Sequence, residues 1–201
     1  MIPWSKQQQN DIAQVKVQHI DKQHALLMNI DFFEMMYKMY CKHLHGMIFN
    51  KALEIGPSVT GGYLSVIPGI KKRMALDSLV DELRKQDMLP LASHIHYFQG
   101  FAEKMPFDDG SFNLVIISNT LDHVKDMQKT VGEINRVLKK DGYVLFITYL
   151  KVKKPHPFTF QGMSDARNMF IDWDLVEEHH IIPDRAFNRR NEQYVGIFRK
   201  L

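Results

Sequence analysis

One stretch, Glu54-Ile55-Gly56-Pro57-Ser58-Val59-Thr60-Gly61-Gly62, constrains this chain more than any other. It follows a strand-like run, Lys51-Ala52-Leu53, and leads into an apolar segment, Tyr63-Leu64-Ser65-Val66-Ile67. Asp77 stands 21 residues after Gly56, at the end of a second apolar run, Met74-Ala75-Leu76. A strand, a glycine-rich turn, a helix start and an acid about 20 residues on outline a nucleotide-binding crossover. Glycines let the main chain approach a ligand, and the acid accepts hydrogen bonds from the ribose hydroxyls. The outline points to an adenosine-containing cofactor.

From residue 50 onward, strands and helices alternate. Strand-like runs cover 51–55, 73–77, 94–98, 112–117 and 143–149. Phe112-Asn113-Leu114-Val115-Ile116-Ile117 is nearly continuous in apolar residues, which suits a parallel strand buried on both faces. Ser78 can cap a helix carrying Leu79, Val80 and Leu83, with Asp81 in a capping-box position. Met127, Val131, Ile134, Val137 and Leu138 repeat at helical spacing, and Asp141-Gly142 is expected to end that helix. A short helix is expected from Ser164. Leu175–Ile182 and Tyr194–Phe198 then read as consecutive strands, an antiparallel hairpin at a sheet edge.

Residues 1 to about 48 differ. A polar lead-in gives way to Phe32, Met35, Met36, Met39, Tyr40, Leu44 and Met47 at helical spacing. They are expected to form an N-terminal helical cover over a main domain of residues 49–201. The stripe is either core packing or an adaptable lid over a substrate.

The chain has 201 residues, a net charge of +3 and one cysteine, Cys41. That charge is too weak to make nucleic acid the expected partner. A single thiol excludes an intramolecular disulfide and a cysteine cluster for zinc, and a reducing cytoplasm is the simplest setting. No apolar run reaches the roughly 18 residues of a membrane span, and the N-terminus lacks the apolar core of a signal peptide. His179-His180 would point to opposite faces of a strand, so no metal site is expected.

Four local patterns in order resemble class I S-adenosylmethionine-dependent methyltransferases of the small type 11 group. They are Leu53-Glu54-Ile55-Gly56-Pro57; Ala75-Leu76-Asp77; Gly100-Phe101-Ala102-Glu103-Lys104-Met105-Pro106-Phe107 with Asp109-Gly110-Ser111-Phe112; and Asn119-Thr120-Leu121-Asp122-His123-Val124 with Glu133-Ile134-Asn135-Arg136-Val137-Leu138-Lys139 and Gly142-Tyr143. The resemblance implies an α/β fold, a doubly wound, Rossmann-like sheet of seven strands, mostly parallel with an antiparallel last strand. It implies S-adenosylmethionine as cofactor. Glu54 and Gly56 would face its methionine end, with Ser58 and Gly61 in the same loop. Asp77, followed by Ser78, would take the ribose. Phe101, Ala102 and Glu103 would flank the adenine, and Asn119 would lie near the transferred methyl. The family usually has a second glycine where Ser58 stands. It often has an acid where Phe101 stands, so a likely acceptor for the adenine amino group is missing here.

Methyl transfer from a sulfonium is an in-line displacement that needs alignment and exclusion of water more than a fixed catalytic triad. An oxygen acceptor can require a general base, and His123 and His156 are the candidates. His123 is otherwise a helix-start residue packed on the sheet, and His156 an ordinary loop residue. Lys151, Lys153, Lys154, Arg185, Arg189 and Arg190 leave the ends of strands on the expected ligand side. They suggest an anionic acceptor, unless they form only a solvated rim. The expected function is methyl transfer to a small molecule, with sugars and anionic biosynthetic intermediates as candidates. The alternative is a non-catalytic domain that binds the cofactor or a partner. A nicotinamide dehydrogenase is disfavoured because Gly-x-Gly-x-x-Gly is absent.

Overall fold

The computed structural model describes residues 22–57, 61–85, 94–152, 157–183 and 191–201, with side chains from residue 30. The elements are α1 (Lys22–Tyr40), β1 (Phe49–Ile55), β2 (Ile70–Asp77), α2 (Val80–Lys85), β3 (Ile95–Gln99) and β4 (Phe112–Ser118). After them come α3 (Met127–Val137), β5 (Leu138–Leu150), α4 (Met163–Arg167), β6 (Asp174–Ile181) and β7 (Glu192–Arg199).

The strands form one seven-stranded sheet in the order β3-β2-β1-β4-β5-β7-β6. Neighbours from β3 to β5 are parallel, and β7 runs antiparallel to both β5 and β6. The expected hairpin is present, with its second strand inserted between β5 and the edge strand β6. Side-chain alternation divides the core between the two faces. Leu114 and Ile116 of β4 join Ala52, Ala75, Leu145 and Ile147 on one face. Val115 and Ile117 join Leu53, Leu76, Val144 and Phe146 on the other. That explains the continuous apolar run of β4, since neither of its faces meets water.

The second face carries α3. Asp126 caps it, accepting from Lys129 N at 2.9 Å, and Ile134 and Val137 are buried. The helix ends at Val137, earlier than the Asp141-Gly142 signal suggested. Leu138 is already paired with Phe112, and the register resumes only at Leu114 and Tyr143. Leu138 is buried in the sheet, and the extra residues form an irregularity within β5, with Asp141 left-handed at φ 57° and bonded through its amide to Lys200 O at 3.0 Å. Lys200 Nζ closes the helix end by donating to Asn135 O at 2.7 Å and Leu138 O at 2.9 Å.

The first face carries the end of α1. Met36, Tyr37, Cys41 and Leu44 are buried there, and Phe33 meets Tyr63 edge-on at 4.9 Å between centroids. Glu177 of β6 fastens the following turn, accepting from Lys42 N at 3.3 Å and His43 N at 2.6 Å. Met36 and Leu44 of the stripe are packed as core in one cluster with β1, whereas Met39 of the same stripe is 39% exposed. No described helix is long and apolar enough to cross a membrane.

Met36→Ala should cost about 2–4 kcal/mol, the range for emptying a buried site of this size. Urea unfolding followed by circular dichroism should show one transition at a lower midpoint. A separate early melting of α1 would mean that it is appended to the domain instead of built into its core.

Candidate functional site

β1 and β2 are joined without an α-helix among the described residues. A 3₁₀ turn, Gly62–Ser65, stands where the sequence suggested a helix start. The turn is held from below by Glu54 on β1, whose Oε1 accepts from Tyr63 N at 3.2 Å and Oε2 from Leu64 N at 2.9 Å. Gly62 sits directly over that carboxylate, with φ 51°, and any Cβ there would run into it. Arg73 of β2 secures the far side by donating to Leu64 O, Ile67 O and Ile70 O at 2.8, 3.2 and 2.6 Å. With Pro68 and Gly69 closing the segment, few residues remain to build a helix.

Glu54 was expected to face the cofactor's methionine end. It is 1% exposed, and both its oxygens are directed at backbone amides of the turn. Its part in the site is to position the crossover. Burial pushes its carboxyl up to about 8, against the two amide donors that favour the ionised form.

Gly56 follows β1 with φ 69°, and its amide donates to Leu76 O at 2.8 Å. A Cβ at Gly56 would lie 2.6 Å from both Thr120 Oγ1 and Cγ2. The room left by the glycine is therefore taken up by the chain after β4, a different reason from the ligand approach that the motif suggested. Gly61 is also left-handed, at φ 71°. Ser58 lies outside the described residues.

Asp77 ends β2 and is 9% exposed. Its Oδ1 accepts from Leu79 N at 2.9 Å, so the acid itself closes the turn into α2. The carbonyl of Ser78, the residue expected to cap that helix, takes Gln99 Nε2 at 2.8 Å.

After β3 the loop containing Phe101, Ala102 and Glu103 is held from two sides. Met105 N donates to Glu133 Oε2 at 2.6 Å. Arg136 donates to Met105 O, Phe107 O and Asp109 Oδ1 at 3.1, 2.7 and 2.8 Å, and pairs with Glu133 at 2.7 Å. Glu103 accepts from Lys125 N at 2.7 Å, linking this loop to the one after β4. Ala102 is buried, and Phe101 is 41% exposed.

Asn119 follows β4 with φ 48°, a conformation asparagine tolerates better than most residues. Its amide donates to Ile147 O at 2.8 Å, and its Oδ1 is buried with no hydrogen-bond partner among the described residues. His123 ends the next 3₁₀ turn, with Nε2 3.8 Å from Oδ2 of the buried Asp122. Asp122 was not singled out in the sequence; only its adjacency to His123 hinted at it. Tyr149 near the end of β5 was also missed; burial raises its hydroxyl above the usual range, with the Asp122 charge adding to this. His156, Lys153, Lys154, Arg185, Arg189 and Arg190 lie outside the described residues. Lys151 is described, and its Nζ is paired with Glu192 at 3.1 Å.

The sheet order β3-β2-β1-β4 puts Phe101–Ala102, Asp77, Gly56 and Asn119 at or just after the carboxyl ends of four adjacent strands. Strand spacing of about 4.8 Å makes that row roughly 14 Å long, a length suited to an extended nucleoside ligand. No cluster of three or more metal-ligating side chains occurs among the described residues.

A family profile described as a methyltransferase domain matches residues 53–146. An uncharacterized methyltransferase, YcgJ of Bacillus subtilis, is 27% identical over 115 residues, 53% of this chain and 43% of that protein. A demethylmenaquinone methyltransferase of Chlorobaculum tepidum is 30% identical over 132 residues, 62% of this chain and 52% of that protein. The chain thus spans about half the length of these curated relatives. Among solved structures, the N-methyltransferase NodS of Bradyrhizobium japonicum, in complex with S-adenosyl-L-homocysteine, superposes with a TM-score of 0.63. It is 13% identical, and the match covers 89% of this chain and 98% of that one. At that identity the likeness is one of fold.

Replacing Glu54 with Gln tests the buried acid. Its folded value near 8 lies above the ordinary 4.5, so the folded state keeps a proton that the unfolded chain releases first. The acid therefore contributes most stability below about pH 4.5 and loses that contribution as pH rises to about 8. In urea unfolding, stability of the natural protein should fall relative to Glu54→Gln across that window. Parallel profiles for the two proteins would mean that Glu54 is ionised in the fold.

Proposed function

We propose, from the match of residues 53–146 to a methyltransferase-domain profile, that the chain transfers a methyl group from S-adenosylmethionine to a small-molecule acceptor. The observation that carries this reading is the adjacency of Gly56 and Asp77 at the ends of β1 and β2 within the matched region. The cofactor, when bound, supplies an electrophilic methyl on a sulfonium. The protein aligns and shields it.

The residues present fit such a group. Asp77 offers a carboxylate at the strand end where ribose hydroxyls would donate. Gly56, fixed by Leu76 and Thr120, brings main chain to the centre of the row. Ala102 and Phe101 border the base end. Asn119 holds a buried oxygen without a partner among the described residues, and a ligand donor would relieve its desolvation. His123, beside Asp122, is placed to take a proton from an acceptor on the β4 side.

The acceptor is the open part of this reading. The matched relatives include a ubiquinone/menaquinone biosynthesis C-methyltransferase of Blochmanniella floridana, 36% identical over 100 residues, and the solved neighbour NodS is an N-methyltransferase. These two activities leave the acceptor atom to experiment. An anionic acceptor rests on the basic connectors in the sequence. Lys151, the one described member, has its charge countered by Glu192.

Asp77→Ala should weaken calorimetric binding of S-adenosylhomocysteine by about 1–3 kcal/mol, because charge-assisted hydrogen bonds are lost. Unchanged affinity in a folded variant would contradict the placement. Labelled methyl transfer into fractionated cell extract identifies the acceptor. Tight cofactor binding with no labelled product would favour the non-catalytic alternative.

Once an acceptor is in hand, His123→Ala should lower kcat by about 10²–10⁴-fold if the imidazole is the general base. Cofactor affinity should stay within about threefold, because His123 is assigned no contact with the cofactor. A comparable kcat in the variant would assign His123 to packing at the turn.

A further inference from the structure

Phe101 is the only aromatic side chain among the described residues that is exposed to this extent, at 41%. Its backbone is anchored. Gly100 N donates to Asp77 O at 3.2 Å, Lys104 N donates to Phe101 O at 3.1 Å, and Ala102 and Met105 on the same loop are buried. Gln99, two residues earlier, is in register with Asp77. The backbone of Phe101 is therefore held on the ligand edge, one strand beyond the proposed ribose position, and its ring is exposed there.

Two polar side chains beside it in the chain, Gln99 and Glu103, make contacts with the protein. Gln99 Oε1 accepts from Asp81 N at 2.9 Å, and its Nε2 donates to Ser78 O at 2.8 Å. Glu103 Oε1 accepts from Lys125 N at 2.7 Å. Reading a base with Gln99, or with the Oε1 of Glu103, would compete with a contact that fixes the loop. A phenyl ring has no acceptor for an exocyclic amino group. It offers apolar surface, and contact between a base and an aromatic side chain depends little on which groups the base carries.

Resting on the cofactor reading above, we propose that Phe101 holds the base of the cofactor by ring contact, so that the site does not discriminate on the purine 6-amino group. A site that hydrogen-bonds a ligand group rejects the analogue lacking it strongly, because its own polar group is then left unpaired. A site built on a phenyl ring carries no such penalty. The chemical class admitted is accordingly wider than adenosine. It includes purine nucleoside sulfonium or thioether ligands altered at the 6-position, provided that the ribose is intact.

The test is isothermal titration with S-adenosylhomocysteine and its 6-deamino analogue, in which hydrogen replaces the amino group. The natural protein should bind the two within about threefold of each other. Phe101→Ala should weaken both about tenfold, a loss typical of one base–aromatic contact. Phe101→Leu, which keeps apolar bulk, should lie between, and Phe101→Asp should create a preference for the amino form. A preference above about 30-fold in the natural protein would overturn the proposal, because a hydrogen-bond partner would then be reading the amino group. So would unchanged affinity in Phe101→Ala with its fold intact by circular dichroism. Failure of the natural protein to bind either ligand is a different result, since it overturns the cofactor reading itself.

Discussion

The site depends on an acid buried in the core. Glu54 reaches from β1 into the underside of the 3₁₀ turn and takes the amides of Tyr63 and Leu64. Those amides belong to a turn packed beneath α1, and an unsatisfied buried amide costs about 1–3 kcal/mol. The same acid forces a glycine at position 62, because no side chain fits above it. Arg73 holds the other side by three carbonyls. One acid and one guanidinium thus do what a helix does in a longer crossover. They fix the segment between β1 and β2, and with it the edge on which Gly56 and Asp77 lie.

The remaining loops on that edge are tied to each other as well as to the sheet. Glu133 and Arg136 reach from α3 to the loop after β3, and Glu103 returns from that loop to Lys125. Both ends of the proposed cofactor row are therefore coupled to α3. Such second contacts preserve the geometry of a ligand edge better than loop sequence alone can. They also leave fewer free polar groups at the base end, which is where Phe101 becomes important.

The N-terminal segment completes the first face of the sheet. Tyr63 is the contact between the two halves of this arrangement. Its amide is held by Glu54, and its ring meets Phe33 of α1. Glu177 then joins the turn after α1 to the opposite edge of the sheet, 134 residues away in sequence from His43. Packing across α1 is thus continuous with the turn below it, so loss of the helix would be felt at the crossover.

The sequence by itself determined the alternation of strands and helices, the double-sided burial of β4 and the closing antiparallel hairpin. Each of these follows from apolar periodicity and local turn residues, which are properties of neighbours in the chain. It also marked Gly56 and Asp77, because a left-handed glycine and a strand-end acid leave a recognisable spacing. Tertiary structure alone decided the roles. Glu54 reads as a ligand contact in the motif, yet its carboxylate is buried because the turn folds back over it. Gly56 reads as room for a ligand, yet Thr120, 64 residues on, faces the bare Cα. The α3 terminus and the insertion of β7 depend on pairings of Leu138 and Tyr194 with distant strands. Burial and long-range pairing are absent from any local window, so they emerge only when the sheet is assembled.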